Sequence, residues 1–131
     1  MQKKLKSIFV IQTSEYERLH YALSMVTTSA ALNNNVKIFF VGKAIEFFFS
    51  KKRMLNKSEL KIESNFIKNG VANLDELVQA CVNLKIKCFY CSNLKFFIKK
   101  KFNFMEGINI EESNISEIFS RNNYGNQIIF F

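Results

Sequence analysis

Short, continuous apolar runs alternate along this chain with longer stretches in which apolar residues recur every three or four positions. The clearest runs cover residues 7–11, 36–41 and 85–90, and they are rich in branched and aromatic side chains. Such runs predict strands that are covered on both faces, as in a parallel sheet. A weaker run at 108–110 and a terminal run at 127–131 predict two further strands.

The stretches between these runs have the apolar spacing and the capping residues of helices. Ser14 and Glu17 match a capping box, and apolar residues follow them at helical spacing. Asn73 precedes a second apolar stripe that has acidic residues in its first turn. The predicted helices cover residues 15–32, 43–49, 74–83, 93–101 and 113–121, and the last of them directs Ile115, Ile118 and Phe119 inward. Gly125 predicts a turn before the terminal strand.

Strands that alternate with helices predict an α/β protein in which helices cover both faces of a mainly parallel sheet. The 131 residues are enough for one domain with a sizeable core, and no internal repeat divides them. We therefore predict a single domain, residues 1–131, with a three-layer α/β/α architecture and a sheet of about five strands. Ligands of such folds gather at the carboxyl ends of strands, which here are residues 12–13, 41–43 and 91–92.

Two stretches fit this architecture less simply. Phe47, Phe48 and Phe49 are consecutive, and since they cannot all face one core, we expect one or more of them to contact a neighbouring subunit. Residues 50–69 are dominated by Lys, Asn, Ser and Glu, and they predict a long loop. That loop is either a functional lid or a tolerated surface insertion.

The net charge of +8 raises the question of an anionic partner. Lys far outnumbers Arg, although Arg is the residue that reads phosphates and bases bidentately. Lys, Asn, Ile and Phe are abundant, as in proteins from AT-rich genomes, and the chain has no Pro or Trp. We therefore attribute the charge to composition and solvated surface, and the sequence argues against a nucleic-acid partner.

One basic segment remains open to three interpretations. Its lysines are interleaved with aromatic residues: Lys99, Lys100 and Lys101 among Phe96, Phe97, Phe102 and Phe104. This pattern is typical of a surface that binds single strands or of an interfacial amphipathic segment. It is also typical of a helix with a Phe core face and a Lys solvent face. We favour the helix, because the apolar positions then also serve the fold.

Compartment and membrane signals point to a soluble protein of the reducing cytoplasm. Three cysteines form no disulfide framework. The apolar run that follows residues 1–6 is too short for a signal peptide. The longest apolar stretch, residues 36–49, is broken by Lys37, Lys43 and Glu46. We therefore expect no membrane span.

Cys91 is the strongest candidate for chemistry, because it follows a predicted strand and precedes a predicted helix. A cysteine at a helix N-terminus has a lowered pKa, and the thiolate is the form that attacks or carries sulfur. The backbone N–H groups of Asn93 and Leu94 would hold a persulfide. The alternative is a small buried residue at the end of a strand.

Other cysteine chemistry is disfavoured. Cys88 and Cys91 form a C-x-x-C, but side chains three positions apart on a strand point to opposite faces. Cys81 lies on a helical apolar stripe and is expected in the core. A zinc site from these cysteines and His20 lacks the usual ligand spacing. The few glycines form no phosphate-binding loop. We expect neither a metal nor a cofactor.

Several residues near the strand ends are candidate ligand contacts. Thr13 and Ser14 lie on the first strand–helix loop and could bind an anion through backbone N–H groups. His20, the single histidine, is either a proton relay or a partly buried structural residue. The full set of candidate ligand-binding residues is Thr13, Ser14, His20, Gly42, Ser92 and Asn93.

The order of elements resembles the DsrE/DsrF-like family of small sulfur-relay proteins, of the DsrE/TusD type. The resemblance rests on four passages: residues 17–23, residues 35–40 with Gly42, residues 70–81, and residues 87–91. It implies a DsrE-like α/β fold, a persulfide-carrying role for Cys91, and a homo-oligomer, either a trimer or a hexamer. It also implies protein partners that donate and accept sulfur.

Three functional hypotheses follow. The first is a small cytoplasmic thiol or persulfide carrier that acts through an accessible Cys91. The second is a non-enzymatic oligomeric binding or scaffold module of the same fold, with a buried Cys91 and a Phe-rich interface. The third is a binder of anionic surfaces that uses residues 99–101, for which the expected sign is salt-dependent binding.

Overall fold

The computed structural model describes residues 6–120 and 127–131. The predicted turn at Gly125 lies outside these residues. Five parallel strands form one sheet in the order β4-β3-β2-β1-β5. The strands are β1 Lys6–Ile11, β2 Asn35–Phe40, β3 Lys87–Cys91, β4 Ile110–Ser113 and β5 Gln127–Phe130. The predicted mainly parallel sheet is therefore confirmed, because apolar runs of this length are stable as strands when both faces are covered.

Helices separate most of the strands, as the alternation of patterns predicts. They are α1 Tyr16–Ala31, α2 Lys57–Lys68, α3 Leu74–Asn83, α4 Leu94–Phe97 and α5 Ile115–Ser120, with a 3₁₀ helix at Lys43–Phe48. α3 begins at the predicted cap residue, Asn73, which accepts from the Glu76 amide, while the Glu76 side chain accepts from the Asn73 amide, so the two form a capping box. None of the helices in the described part of the chain is long and apolar enough to cross a membrane.

The connections place the helices in two layers, one on each face of the sheet. The chain steps from β1 to β2, β3 and β4 in one direction, so right-handed crossovers carry α1 and α3 over the same face. The return from β4 to β5 runs in the opposite direction and carries α5 over the other face. This arrangement confirms the three-layer α/β/α architecture.

The face under α1 and α3 holds much of the core. Leu19, Leu23 and Val26 of α1 are completely buried, and α1 packs against both α3 and the two strands that it connects. Val78 of α3 is also completely buried. Burying side chains of this size contributes about 1.5–3 kcal/mol each, so this face adds substantially to the stability of the fold.

The prediction for the three consecutive phenylalanines is wrong. Phe47, Phe48 and Phe49 are all buried within one chain. The tight 3₁₀ turn directs them to different neighbours: Phe48 lies 4.9 Å from Phe40 between ring centroids, and the Phe47 ring lies under the Arg53 guanidinium. Phe49 packs against Phe102 and Phe104. None of the three therefore requires a neighbouring subunit to cover it.

The predicted loop at residues 50–69 is also wrong, because α2 occupies most of it. Asn56 and Glu59 form a capping box at its start. Glu59 is buried and accepts two hydrogen bonds from the Arg53 guanidinium, at 2.8 and 3.1 Å. These contacts and a stacked ring pair between Phe66 and His20, 4.2 Å apart, stabilise a helix whose own composition is polar.

The ends of two helices differ from prediction. α1 begins after Glu15 with no side-chain cap, so the predicted capping box at Ser14 and Glu17 does not form. The Glu15 amide donates to the Thr13 hydroxyl instead. In α5 the expected inward stripe is reduced to Ile118, because Ile115 and Phe119 are about half exposed.

The predicted helix over residues 93–101 is much shorter than expected. α4 covers only Leu94–Phe97, and Ile98 already has an extended backbone. Leu94 and Ile98 are the buried anchors of this segment, whereas Phe96 and Phe97 are exposed. The favoured interpretation of residues 93–101, a helix with a Phe core face, is therefore wrong.

We expect Glu59→Gln to lower the free energy of unfolding by about 1–3 kcal/mol at pH 7, because it removes a charge that Arg53 holds in a buried pair. Hydrogen bonds from Arg53 lower the pKa of Glu59, so its stabilising charge is present above pH 4.5 and is lost as the pH falls through the folded-state pKa. Urea unfolding of both proteins from pH 7 down to pH 3 measures the difference, which should shrink in acid.

The matched control is Glu76→Gln, which alters the equivalent residue of the exposed capping box on α3. It should cost about 0.5 kcal/mol or less, since no ion pair of Glu76 is broken. Equal losses in the two variants would contradict the importance assigned to the Arg53–Glu59 pair.

Candidate functional site

The carboxyl ends of the inner strands meet at one edge of the sheet. Gly42 follows β2 and lies directly against Gln12, which follows β1. A Cβ atom built on Gly42 would lie 2.0 Å from the Gln12 carbonyl oxygen, so no larger residue fits without moving the backbone. Neighbouring strands are separated by about 4.8 Å. Cys91, at the end of β3, therefore lies on the far side of β2 from Gln12, about 10 Å away.

Cys91 is buried, with 4% of its surface exposed. It lies opposite Ser113 in the sheet, and the next residue, Ser92, donates its amide to the Ser113 carbonyl at 2.9 Å. The Ser113 hydroxyl in turn donates to Glu117 of α5. Of the two alternatives that the sequence left open for Cys91, an accessible thiol or a small buried residue, the single chain therefore has the buried residue.

The helix expected to activate Cys91 is a single turn. α4 has four residues, and Asn93 before it makes no side-chain cap. A helix of four residues has little macrodipole. Lys95, on this turn, forms an ion pair with Glu112, so its positive charge is partly neutralised. The local structure therefore lacks the electrostatic features that the sequence suggested for a reactive thiolate.

The other two cysteines are inert by position. Cys81 and Cys88 are buried and free, as is Cys91. Burial raises the pKa of Cys81 to about 12, and burial is also the main cause of the raised pKa of Cys88. The prediction that Cys81 belongs to the core is confirmed.

His20 has a structural environment. Its Nε2 lies 2.8 Å from the Ala72 carbonyl oxygen, and its ring stacks on Phe66 of α2. It therefore links α1 to α2 and to the segment that precedes α3. The neighbouring Tyr16 donates to Glu63 of α2 at 3.2 Å, and burial together with that carboxylate raises the pKa of Tyr16 to about 12.

The remaining candidate ligand residues do not form one cluster. The Thr13 hydroxyl accepts a hydrogen bond from the Glu15 amide, and the Thr13 amide donates one to the Phe131 carbonyl. Ser14 and Asn93 are exposed, and Ser92 and Gly42 are half-buried. Thr13, Ser14 and Gly42 belong to the β1–β2 end of the edge, whereas Ser92 and Asn93 belong to the β3 end.

An apolar cavity of about 670 Å³ lies on the face that α5 covers, and the sequence did not indicate it. Val10, Phe39 and Phe130 pair in register across three strands, so their side chains share this face. Ile115 and Phe119 of α5 line the opposite wall. We call these five residues the apolar face. The polar groups at its margin include Gln12 and Arg18, and the Arg18 guanidinium pairs with Glu15 at 3.3 Å.

A second surface gathers cations from two distant parts of the chain. An antiparallel bridge joins Phe49 to Phe104, and the Ser50 amide donates to the Asn103 carbonyl at 2.8 Å. These contacts bring two basic segments together around a cleft of about 630 Å³. We call them the basic surface; its cations are Lys51, Lys52, Arg53, Lys99, Lys100 and Lys101. Only residues 99–101 stood out from the sequence, because the pairing of the two segments is tertiary.

No protein-family model matches this chain, and no curated protein matches it with statistical significance. The resemblance to the DsrE/DsrF-like family therefore remains a prediction, as do the residue roles that it implies. Within residues 6–120 and 127–131, no group of three or more His, Cys, Asp or Glu side chains is arranged to hold a metal ion.

We expect Gly42→Ala to destabilise the fold by about 2 kcal/mol or more, since the added Cβ overlaps the Gln12 backbone and forces β1 and β2 apart. Gly70→Ala is the control: Gly70 has a φ of +68° but no atom within 4 Å of a Cβ, so only the backbone strain of about 1 kcal/mol applies. Urea unfolding ranks the two variants, and a Gly42→Ala protein as stable as the wild type would contradict the close approach.

Proposed function

We propose that this protein is a non-enzymatic, self-associating binding module, and that the apolar face is the surface through which two copies meet. The observation that carries this proposal is the cavity on the α5 side of the sheet. Large apolar side chains on this side are exposed: Phe130 is 65% exposed, and Phe119 and Ile115 of α5 are about half exposed. Contiguous exposed apolar surface of this kind marks interaction sites.

The two edges of the sheet differ in a way that favours association through β5. Among the strands of residues 6–120 and 127–131, β5 pairs with β1 alone, and its four residues carry no charge. β4, at the other edge, has Glu111 and Glu112, and charged residues on an edge strand oppose edge-to-edge pairing. An uncharged edge strand with exposed Ile128 and Phe130 is a template for another strand.

A two-fold arrangement uses both features at once. If β5 pairs antiparallel with β5 of a second copy, the two sheets become continuous, and the same surface patch serves both subunits. Phe130 and Ile128 of one copy then lie beside those of the other, next to Phe119 of α5. Apolar area moves out of water without leaving a charge unpaired. The trimer or hexamer implied by the family resemblance is a different stoichiometry that the same measurement distinguishes.

We expect the purified protein to have a mass that is a multiple of 15.3 kDa by light scattering at micromolar concentration. Phe119→Lys combined with Phe130→Lys should reduce the mass to that of the monomer, because it places like charges opposite each other at a two-fold contact. Circular dichroism should show that the variant remains folded, since both side chains are at least half exposed.

The matched control is Leu32→Lys combined with Leu60→Lys, which adds the same charge at exposed apolar positions, one directly after α1 and one on α2. It should leave the mass of the assembly unchanged. A monomeric wild-type protein would contradict the proposal. So would a control that dissociates as readily as the Phe119 and Phe130 variant. Should that variant fail to fold, Ile128→Lys tests the same edge with one substitution.

Sulfur carriage through Cys91 is a second candidate function. What favours it is position: Cys91 ends an inner strand at the carboxyl edge, where ligands of parallel sheets bind. In the transfer step the Cys91 thiolate would attack a sulfane sulfur of a polysulfide, form a new S–S bond, and release the shortened polysulfide. The burial of Cys91 opposes this function, because a sulfur donor cannot reach a thiol with 4% of its surface exposed unless the structure around it opens.

We expect Cys91 to resist alkylation in the folded protein and to react at the rate of unfolding, as Cys81 and Cys88 do, because all three thiols are buried. Mass spectrometry after timed iodoacetamide treatment assigns a rate to each cysteine, with unfolded protein in urea as the reference. Rapid alkylation of Cys91 alone, with the gain of one sulfur atom from polysulfide, would reverse the order of the two candidate functions.

A further inference from the structure

Two adjacent aromatic side chains project into solvent at the end of α4. Phe96 is 83% exposed and Phe97 is 68% exposed, the largest exposures among the phenylalanines of the described chain. They point outward because Leu94 and Ile98, four positions apart, are buried and anchor the segment to the core. Neither ring takes part in the described aromatic pairs that stabilise Phe102 and Phe104. The fold therefore holds two large apolar groups in water on a firmly attached turn.

These rings adjoin the basic surface. Residues 94–105 contain four lysines and no acidic residue, and residues 47–55 contain three cations and no acidic residue. The bridge between Phe49 and Phe104 holds the two segments side by side. Met54, on the second segment, is 88% exposed and adds a third apolar side chain to this region.

Several cations of the basic surface have acidic partners. Lys52 pairs with Asp75 at 2.9 Å, Lys100 with Glu46 at 3.3 Å, and Arg53 with Glu59. The described part of the chain records no ion pair for Lys51, Lys99 or Lys101, all of which are exposed. The basic surface therefore keeps a positive charge that its own fold does not neutralise.

We propose that the basic surface, with Phe96 and Phe97 at its margin, binds the surface of a membrane that contains anionic lipids. Aromatic side chains enter the boundary between headgroups and acyl chains, and lysines attract anionic headgroups. Neither interaction needs a defined pocket, which suits an exposed turn flanked by flexible lysines. The protein then lies on the bilayer and does not span it.

The chemistry of the cations favours lipid headgroups over nucleic acid. Recognition of phosphates and bases by a guanidinium requires its free N–H groups. Arg53 is the single arginine of the basic surface, and both of its terminal nitrogens donate to Glu59. The unpaired cations are lysines, which attract a charged surface without reading its sequence. The two exposed rings then supply apolar contact that a bilayer can accept.

A single tryptophan tests the insertion directly, because the natural chain has none. Phe97→Trp should show a blue-shifted emission when the full-length protein meets vesicles of phosphatidylcholine and phosphatidylglycerol, and brominated acyl chains should quench it. Ile67→Trp is the control, at an equally exposed apolar position on α2. Its emission should stay unchanged under the same conditions. Equal shifts at both positions would overturn the proposal.

Co-sedimentation with the same vesicles tests whether the lysines of the basic surface contribute to binding. Lys99→Ala with Lys101→Ala should weaken binding by at least about tenfold, because each lysine near an anionic surface strengthens binding about fivefold. Lys61→Ala with Lys68→Ala removes the same charge from α2, and it should weaken binding much less.

Phe96→Ala with Phe97→Ala should weaken binding at high salt as well as low salt, with Leu60→Ala and Ile67→Ala as its control.

Three results would overturn the proposal. The wild-type protein could fail to sediment with anionic vesicles at low salt. The α2 lysine variant could lose as much affinity as the Lys99 and Lys101 variant, in which case net charge alone causes binding. A single-stranded RNA oligonucleotide could bind while the vesicles do not, which would assign the basic surface to nucleic acid. None of these outcomes depends on the oligomeric state.

Discussion

The close parallel pairing of β1 with β2 is the constraint on which the other elements depend. Every residue of β1 has a partner in β2, and the pairing continues past the strands through the hydrogen bond from the Val41 amide to the Ile11 carbonyl. Gly42 allows the two backbones to stay in contact where a side chain would separate them. β3 adds to one side of this pair and β5 to the other, so an error in the β1–β2 register would move every later element.

An unequal covering of the two faces follows from the order of the strands. Three steps in one direction place the long helices on one face, and a single return step carries α5 over the other. The first face is a closed core, whereas the second has a cavity and half-exposed aromatic residues. The same topology encloses Cys91 at the end of β3. The cavity on the second face is lined mostly by apolar side chains, whereas Cys91 is buried.

The residues that give the net charge of +8 are spread along the sequence, but the fold distributes the charge unevenly over the surface. Acidic residues from separate elements neutralise part of the basic surface: Glu46, Glu59 and Asp75 each pair with one of its cations. Among the described residues Lys99 and Lys101 have no ion pair, and they follow Phe96 and Phe97 within five positions of the chain. Charge and exposed apolar surface thus coincide in one region, which composition alone did not suggest.

The sequence by itself determined the sheet, because a strand buried on both faces needs a continuous apolar run. It also determined the start of α3, because the capping interactions of Asn73 and Glu76 are complete within four residues. Only the tertiary structure decided what depends on distant partners. α2 is stabilised by Arg53 and by the ring of His20. The phenylalanines at 47–49 are buried by Phe40, Arg53 and Phe104. The two basic segments meet through the bridge between Phe49 and Phe104. The periodicity of a segment shows which of its faces is apolar. It does not show which distant segment packs against that face, because the free energy of the contact depends on both segments.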